Sequence, residues 1–251
     1  MKSPWKTLKE ASYLWRTGAP LRAVWMYLRS RRRRKVNALY GKHGAALAET
    51  QAFVRDNSFR QDWFTHNIPY WMEVFERFDL RGRPIDVLEI GSFEGLSACF
   101  LLRQLPLARV TCVDTWAGSD EHAGLEGIGA IESAFDRNVT PWRDRVTKLK
   151  GYSFQCFASL KKEAKYDLIY VDGSHHADDV MVDALRSFSH LKVGGVMILD
   201  DYLWRYYPRT SEDPAMAING FLRLIEGRYR LVMVYYQLVL VKTAEPSAWR
   251  G

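Results

Sequence analysis

Tyr166-Asp-Leu-Ile-Tyr-Val-Asp-Gly-Ser-His-His176, followed downstream by Leu191-Lys-Val-Gly-Gly-Val-Met-Ile-Leu-Asp-Asp-Tyr202, decides the reading of this chain. Each half is a short run of β-branched, aromatic and aliphatic residues that stops at acidic ones. Such a run reads as a strand of a parallel sheet covered on both faces, and open α/β sheets take their ligands at the carboxyl ends of strands. Asp172, Asp200 and Asp201 are therefore expected at one sheet edge, with His175 and His176 a turn away. Three carboxylates so placed repel one another unless a positive group lies among them. A hard divalent cation with oxygen ligands is the simplest candidate. The alternative is that one Asp caps the next helix and another faces water.

Working outward, apolar runs and helical stretches alternate. Strands are expected at Ile85–Ile90, Arg109–Asp114, Arg145–Leu149, Tyr166–Asp172 and Gly195–Asp200, with helices near Gly95–Gln104, Leu125–Arg137, Phe154–Lys162 and Ala177–His190. That alternation implies right-handed crossovers and a doubly wound α/β sheet. The end of the chain differs. After a helix near Pro214–Glu226, the runs Tyr229–Tyr236 and Leu238–Lys242 have almost no linker, so they can pair only as a tight antiparallel unit. Upstream, Trp71, Val74, Phe75 and Phe78 keep helical spacing in an aromatic-dense segment, which predicts packing.

Val87-Leu88-Glu89-Ile90-Gly91-Ser92-Phe93-Glu94-Gly95 reads as strand, glycine turn and helix start. A dinucleotide fingerprint would be GxGxxG, its second glycine letting the backbone approach a pyrophosphate. Here that position is Phe93, which disfavours a nicotinamide oxidoreductase. The spacing is GxxxG: Gly91 for the turn and Gly95 for close helix packing. The second strand ends at Asp114, nineteen residues after Gly95, where a carboxylate suits two ribose hydroxyls. A ribose site without a pyrophosphate cradle points to a nucleoside cofactor, of which S-adenosylmethionine is the common one.

Glu89-Ile-Gly-Ser-Phe-Glu-Gly95, Val113-Asp-Thr-Trp116, Val171-Asp-Gly-Ser-His175 and Leu199-Asp-Asp-Tyr202 together resemble the class I S-adenosylmethionine-dependent methyltransferases. The likeness is to the branch of bacterial sugar and macrolide O-methyltransferases related to catechol O-methyltransferase, and it covers about residues 60–243. It implies a Rossmann-like seven-stranded mixed sheet in the order 3-2-1-4-5-7-6 with strand 7 antiparallel. It also implies that Gly91, Ser92 and Gly95 wrap the methionine part of the cofactor, with Glu89 behind them. Asp114 would hold the ribose, Trp116 would pack near the adenine, and Tyr152 and Ser153 would meet its ring. Asp172, Asp200 and Asp201 match the family's metal triad, for Mg²⁺ or another divalent cation, and Asp172 is counted with the cofactor and catalytic residues as well. Those enzymes usually carry Asn where this chain has Asp201. They place a catalytic Lys where it has His175, whose imidazole titrates near neutrality and suits a base.

The charge is unevenly spread. Residues 1–42 hold 12 Lys and Arg against one acid, Glu10, while the rest holds 24 basic and 28 acidic residues. The basic character belongs to an N-terminal arm, which weakens any claim that the core grips nucleic acid. In the arm Leu21, Val24, Trp25 and Leu28 keep helical spacing behind Pro20, and Arg29 to Lys35 carry six charges in seven residues. Such a helix suits an anionic membrane surface or packing on the domain or on a second subunit. Arg16 and Arg22 interrupt the apolar segment, so no bilayer-spanning run or signal peptide is expected. Cys99, Cys112 and Cys156 lack CxxC spacing and read as core residues of a reduced, cytoplasmic protein.

The expected organisation is a basic helical arm over 1–58, a methyltransferase domain over 59–245 and a tail over 246–251. The expected activity is metal-assisted O-methylation of a small-molecule hydroxyl on a sugar, polyketide or phenol. No nucleic acid partner is expected; peripheral membrane contact and self-association stay open. The rivals are a metal-independent class I methyltransferase and a membrane-surface or nucleic-acid-binding protein that uses the arm.

Overall fold

Seven strands form one sheet in the order β3-β2-β1-β4-β5-β7-β6. A computed structural model describes residues 4–57, 59–119, 128–160 and 165–245 of the chain. Two compact units partition it, Arg33–Ser159 and the combination of Met1–Arg32 with Leu160–Gly251.

In Arg33–Ser159, β1 (Ile85–Ile90) pairs in parallel with β2 (Ala108–Asp114), and β2 with β3 (Val146–Lys150). Helices α3 (Arg33–Asp56), α4 (Ile68–Arg77), α5 (Leu96–Gln104), α6 (Ile131–Val139) and α7 (Ser153–Ser159) accompany them. Trp71 and Phe75 of α4 are fully buried, in a cluster where Phe64 meets Trp71 edge-on at 4.9 Å and Phe75 stacks on Phe100 at 5.9 Å. Burying such side chains contributes roughly 1.5–3 kcal/mol each. The 24-residue α3 packs on α4 with polar reach, Lys42 Nζ and His43 Nε2 lying 2.8 and 3.1 Å from Glu73.

In the other unit, β4 (Tyr166–Val171) pairs in parallel with β5 (Leu191–Leu199). Strand β7 (Leu238–Lys242) runs antiparallel both to β5 and to β6 (Tyr229–Val234). Helices α1 (Pro4–Arg16), α2 (Leu21–Ser30), α8 (Ala177–His190) and α9 (Pro214–Leu224) complete it. β4 is buried at every position, as its uninterrupted apolar run requires. β5 begins at Leu191, four residues before the expected Gly195, because the strand runs through the glycine pair instead of starting after it. α6 starts at Ile131, later than Leu125; the expected start at Leu125, the expected end at Lys162 and the tail 246–251 lie outside the described residues.

The first two helices each bury one face in this unit. Tyr13 and Leu14 of α1 and Ala23 and Tyr27 of α2 are buried. The Tyr13 hydroxyl donates to Asp213 Oδ2 at 3.0 Å. The Asn219 amide donates to Thr17 O and Oγ1 at 3.1 and 3.0 Å, and its own Oδ1 accepts from the Tyr202 hydroxyl at 2.6 Å. Glu10 is buried and accepts the Tyr27 hydroxyl.

Candidate functional site

The glycine turn after β1 is held by Asp114 at the end of β2. Gly91, Phe93 and Gly95 all have positive φ, at 86°, 45° and 82°, so the backbone coils tightly and aims successive N–H groups inward. Asp114 Oδ2 accepts two of them, from Ser92 and Phe93, both at 2.8 Å, and its Oδ1 accepts the Trp116 N–H at 2.7 Å. A Cβ at Gly95 would lie 3.0 Å from Phe135 and 3.3 Å from Val139 of α6, so the glycine meets both a backbone and a packing requirement.

Of the other expected cofactor residues, all but Asp172 lie in the same unit as this turn. Glu89 accepts the Ser92 hydroxyl at 2.6 Å. Gly151 N–H donates to Asp114 O at 2.9 Å, which ties the start of the Tyr152–Ser153 segment to the end of β2. Tyr152 is exposed and stacks on Phe154. Trp116 is buried; its Nε1 donates to Phe93 O at 2.9 Å, and its ring packs on Phe135 with Lys148 Nζ 4.7 Å above it. The sequence reading missed Glu94, a buried carboxylate that accepts from Arg60 N and Nε at 2.8 and 2.5 Å and so pins the turn from the side. An acid between Phe93 and Gly95 carried no separate signal.

The acidic cluster lies wholly in the other unit, at the carboxyl ends of β4 and β5. Asp172, His175 and Asp201 each offer a ligand atom, all within 4.8 Å of one another. His175 Nε2 is 2.8 Å from Asp201 Oδ2 and 3.9 Å from Asp172 Oδ1. Asp200 is held differently. Its Oδ2 accepts from Gln237 Nε2 at 2.5 Å and from the Tyr170 hydroxyl, and its Oδ1 accepts the Asp201 N–H at 2.7 Å. The Tyr170 hydroxyl also reaches Asp172 Oδ2 at 2.7 Å, and the Tyr236 hydroxyl donates to Asp201 Oδ1 at 2.6 Å. Asp201 has φ 55°, a left-handed turn that parts its side chain from that of Asp200.

Charge crowding shows in the proton affinities. Burial, with the nearby Asp201 charge, pushes Asp172 up to about 6 against the pull of His175. Burial and the charges of Asp172 and Asp201 push Asp200 well above the carboxylate range. For Asp201 burial acts upward too, but His175 and the Tyr236 hydroxyl outweigh it and hold the carboxyl low. Two of the three carboxylates thus resist ionising without a positive charge beside them, and the carboxylate pair beside an imidazole fits a divalent cation.

Aromatic rings adjoin the histidines. His175 lies 4.8 Å from Trp204, and His176, the N-cap residue of α8, stacks on Tyr207 at 4.3 Å without a side-chain cap bond. Tyr170, Tyr236 and Gln237 were not anticipated. Only Tyr170 left a trace, two positions before Asp172 and so on the same strand face. Cys99, Cys112 and Cys156 are buried free thiols, and burial pushes Cys99 up to about 12. Among the described residues no helix is long and apolar enough to cross a membrane.

Comparison with known proteins bears on both clusters. Residues 88–202 match a family model described as a methyltransferase domain. The chain is 28% identical over 135 residues to O-methyltransferase hkm8 of Aspergillus hancockii, across 52% of this chain and 49% of that protein; it spans about half the length of this relative. Among solved structures, MycE methyltransferase from the mycinamycin biosynthetic pathway, in complex with Mg, SAH and mycinamycin VI, aligns with TM-score 0.54 and 16% identity over 80% of this chain and 57% of that one. An O-methyltransferase from Bacillus cereus in complex with SAH aligns with TM-score 0.54 and 17% identity over 80% and 91%.

Proposed function

We propose that the chain, whose residues 88–202 match a methyltransferase domain, is a class I, S-adenosylmethionine-dependent enzyme that methylates a hydroxyl of a small molecule with the help of a divalent ion held by the carboxylates of Asp172 and Asp201 beside His175. The observation that carries this reading is the convergence of those three side chains, with ligand atoms within 4.8 Å of one another. When bound, S-adenosylmethionine supplies a methyl group on a sulfonium, and a divalent ion supplies Lewis acidity that lowers the pKa of a neighbouring hydroxyl.

The chain's own residues do the rest. The turn 91–95 and Asp114 hold the cofactor, the carboxylate taking ribose hydroxyls in exchange for part of its backbone bonding. His175 takes the acceptor's proton at Nδ1, and its Nε2 lies 2.8 Å from Asp201, whose charge stabilises the imidazolium so formed. Asp200 positions rather than reacts: it holds the Asp201 backbone and the Tyr170 hydroxyl in place. A C–O bond forms as the S–C bond breaks, and S-adenosylhomocysteine leaves. MycE, in complex with Mg, SAH and mycinamycin VI, supports a metal, and the acceptor we infer is a sugar or polyketide hydroxyl. The rings of Trp204 and Tyr207 suit either of these or a phenol.

A second reading rests on the His175–Asp201 pair itself. A carboxylate this close to an imidazole makes a general-base dyad without any metal. Radiolabelled S-adenosylmethionine with a panel of glycoside, polyketide and catechol acceptors separates the two. Transfer abolished by EDTA and restored by Mg²⁺ supports metal assistance, whereas transfer that persists in EDTA supports the dyad alone.

A further inference from the structure

Both N-terminal helices turn an apolar stripe outward. In α1, Trp5, Leu8 and Trp15 are 76%, 57% and 59% exposed; in α2, Leu21 and Trp25 are 71% and 56% exposed, and Leu28 is exposed as well. At about 100° per residue these fall within arcs of about 80° on α1 and about 60° on α2. In each helix the positions next round the wheel are exposed and basic, Lys9 and Arg16 on α1 and Arg22 and Arg29 on α2. The opposite faces carry the buried Tyr13, Leu14, Ala23 and Tyr27. The same layout therefore occurs twice, on faces that internal packing does not use. Isolated exposed leucines need no explanation, but three indoles and three leucines gathered into one stripe on each of two contacting helices do.

The charge beside these stripes has one sign. Glu10, the only acid among residues 1–42, is buried and accepts the Tyr27 hydroxyl, so these helices offer solvent positive charge alone. We propose that α1 and α2 form a docking surface for an anionic lipid bilayer. The Trp and Leu side chains enter the boundary between headgroups and acyl chains, and Lys9, Arg16, Arg22 and Arg29 face the lipid phosphates. Indoles favour that boundary, and basic residues flanking an apolar stripe are what an interfacial helix requires. The Arg29 guanidinium already sits 5.0 Å from the centre of the Trp25 ring, pairing charge and apolar surface in one contact. The contact is peripheral, since α1 and α2 have 13 and 10 residues, too few to span. A nucleic acid would use the charge but leave the leucines in water, and a second copy would set like charge against like. The surface is independent of the methyl-transfer reading.

Flotation of the full chain with phosphatidylcholine vesicles, with and without phosphatidylglycerol, tests it. The protein is expected to float with the anionic vesicles only and to be released by high salt. A Trp5→Ser, Trp15→Ser, Trp25→Ser variant and a Lys9→Gln, Arg16→Gln, Arg22→Gln, Arg29→Gln variant should each lose roughly tenfold or more in partitioning. Because every substituted side chain is exposed, circular dichroism should match the wild type. If a variant fails to fold, the wild-type tryptophan emission is read instead, and it should shift blue on adding anionic vesicles. The proposal is overturned by an absence of flotation and of that shift, or by flotation indifferent to the Trp substitutions. It is equally overturned if those substitutions convert a dimer to a monomer while vesicle binding is absent throughout. Duplex DNA binding that depends on the basic residues, in a protein that ignores vesicles, would also overturn it.

Discussion

Nε2 of His175 lies 2.8 Å from Oδ2 of Asp201, within the same cluster in which Asp172 is pushed up to about 6. The pair joins the proposed base to the residue at which this chain departs from the Asn usual in the enzymes it resembles. If the two act as a unit, their substitutions are not additive. A double-mutant cycle of His175→Gln and Asp201→Asn should give a coupling of about 1–3 kcal/mol in unfolding free energy, the range for contacting residues in one network. A coupling near zero would mean the pair is an incidental contact.

Asp114 carries more of the fold than its place at a strand end suggests. Asp114→Ala strands three backbone donors, those of Ser92, Phe93 and Trp116. It should lower stability by at least roughly 3 kcal/mol, since three hydrogen bonds to a charged group, worth roughly 1.5–3 each, are lost and water recovers only part of them. Calorimetry should also show S-adenosylmethionine affinity lost in the fraction that stays folded. Gly95→Ala should destabilise by about 2–4 kcal/mol, from left-handed backbone strain plus contact with Phe135 and Val139. Urea unfolding checks both.

The strands were legible because each is an apolar run ended by a turn or an acid, and β1, β4 and β7 match the expected runs to within a residue. The glycine turn was legible from spacing, since positive φ at Gly91 and Gly95 is a demand that glycine meets best. The division of labour between Asp200 and Asp201 was not. It depends on Gln237 and Tyr236, more than thirty residues downstream, and on a left-handed backbone at a non-glycine. Helix α3 was legible only as part of a helical arm, without its own bounds, because it buries His43 and Thr50 instead of an apolar stripe. The outward stripe of α2 was half legible: its period could be read, but not which face the protein covers; the stripe of α1 was not read.

The first two helices should prove integral to their unit. Asn219→Ala removes the partner of the buried Tyr202 hydroxyl and both bonds to Thr17. A loss of about 2–4 kcal/mol is expected from the hydroxyl left buried without a partner and the bonds lost. Deleting residues 1–32 should lower the melting temperature further, since it also uncovers the surface that buries Leu14, Ala23 and Tyr27. A truncated chain that melts with the full one would refute this.

Acidity should act on the metal-free protein in an unusual direction. Asp172 is raised to about 6, and Asp200 is raised further in direction, both chiefly by burial. A carboxyl whose folded pKa lies above its unfolded value contributes stability that is fully present below the unfolded pKa and lost as pH rises through the folded one. Asp201, held low, works the other way and matters only at more acid pH. In EDTA, thermal stability should therefore fall as pH rises from about 4 through about 6, and Mg²⁺ should remove much of that fall. Flat profiles with and without Mg²⁺ would contradict it.

The most direct test of the metal assignment is a Mn²⁺ titration of the full chain, followed by electron paramagnetic resonance and needing no acceptor. Saturable one-to-one binding is predicted. Asp172→Asn and Asp201→Asn should each weaken it by roughly tenfold or more, since an amide oxygen is a poorer ligand than a carboxylate, and S-adenosylmethionine affinity should be retained in both. Mn²⁺ binding that is absent, or that survives both substitutions unchanged, would contradict the account.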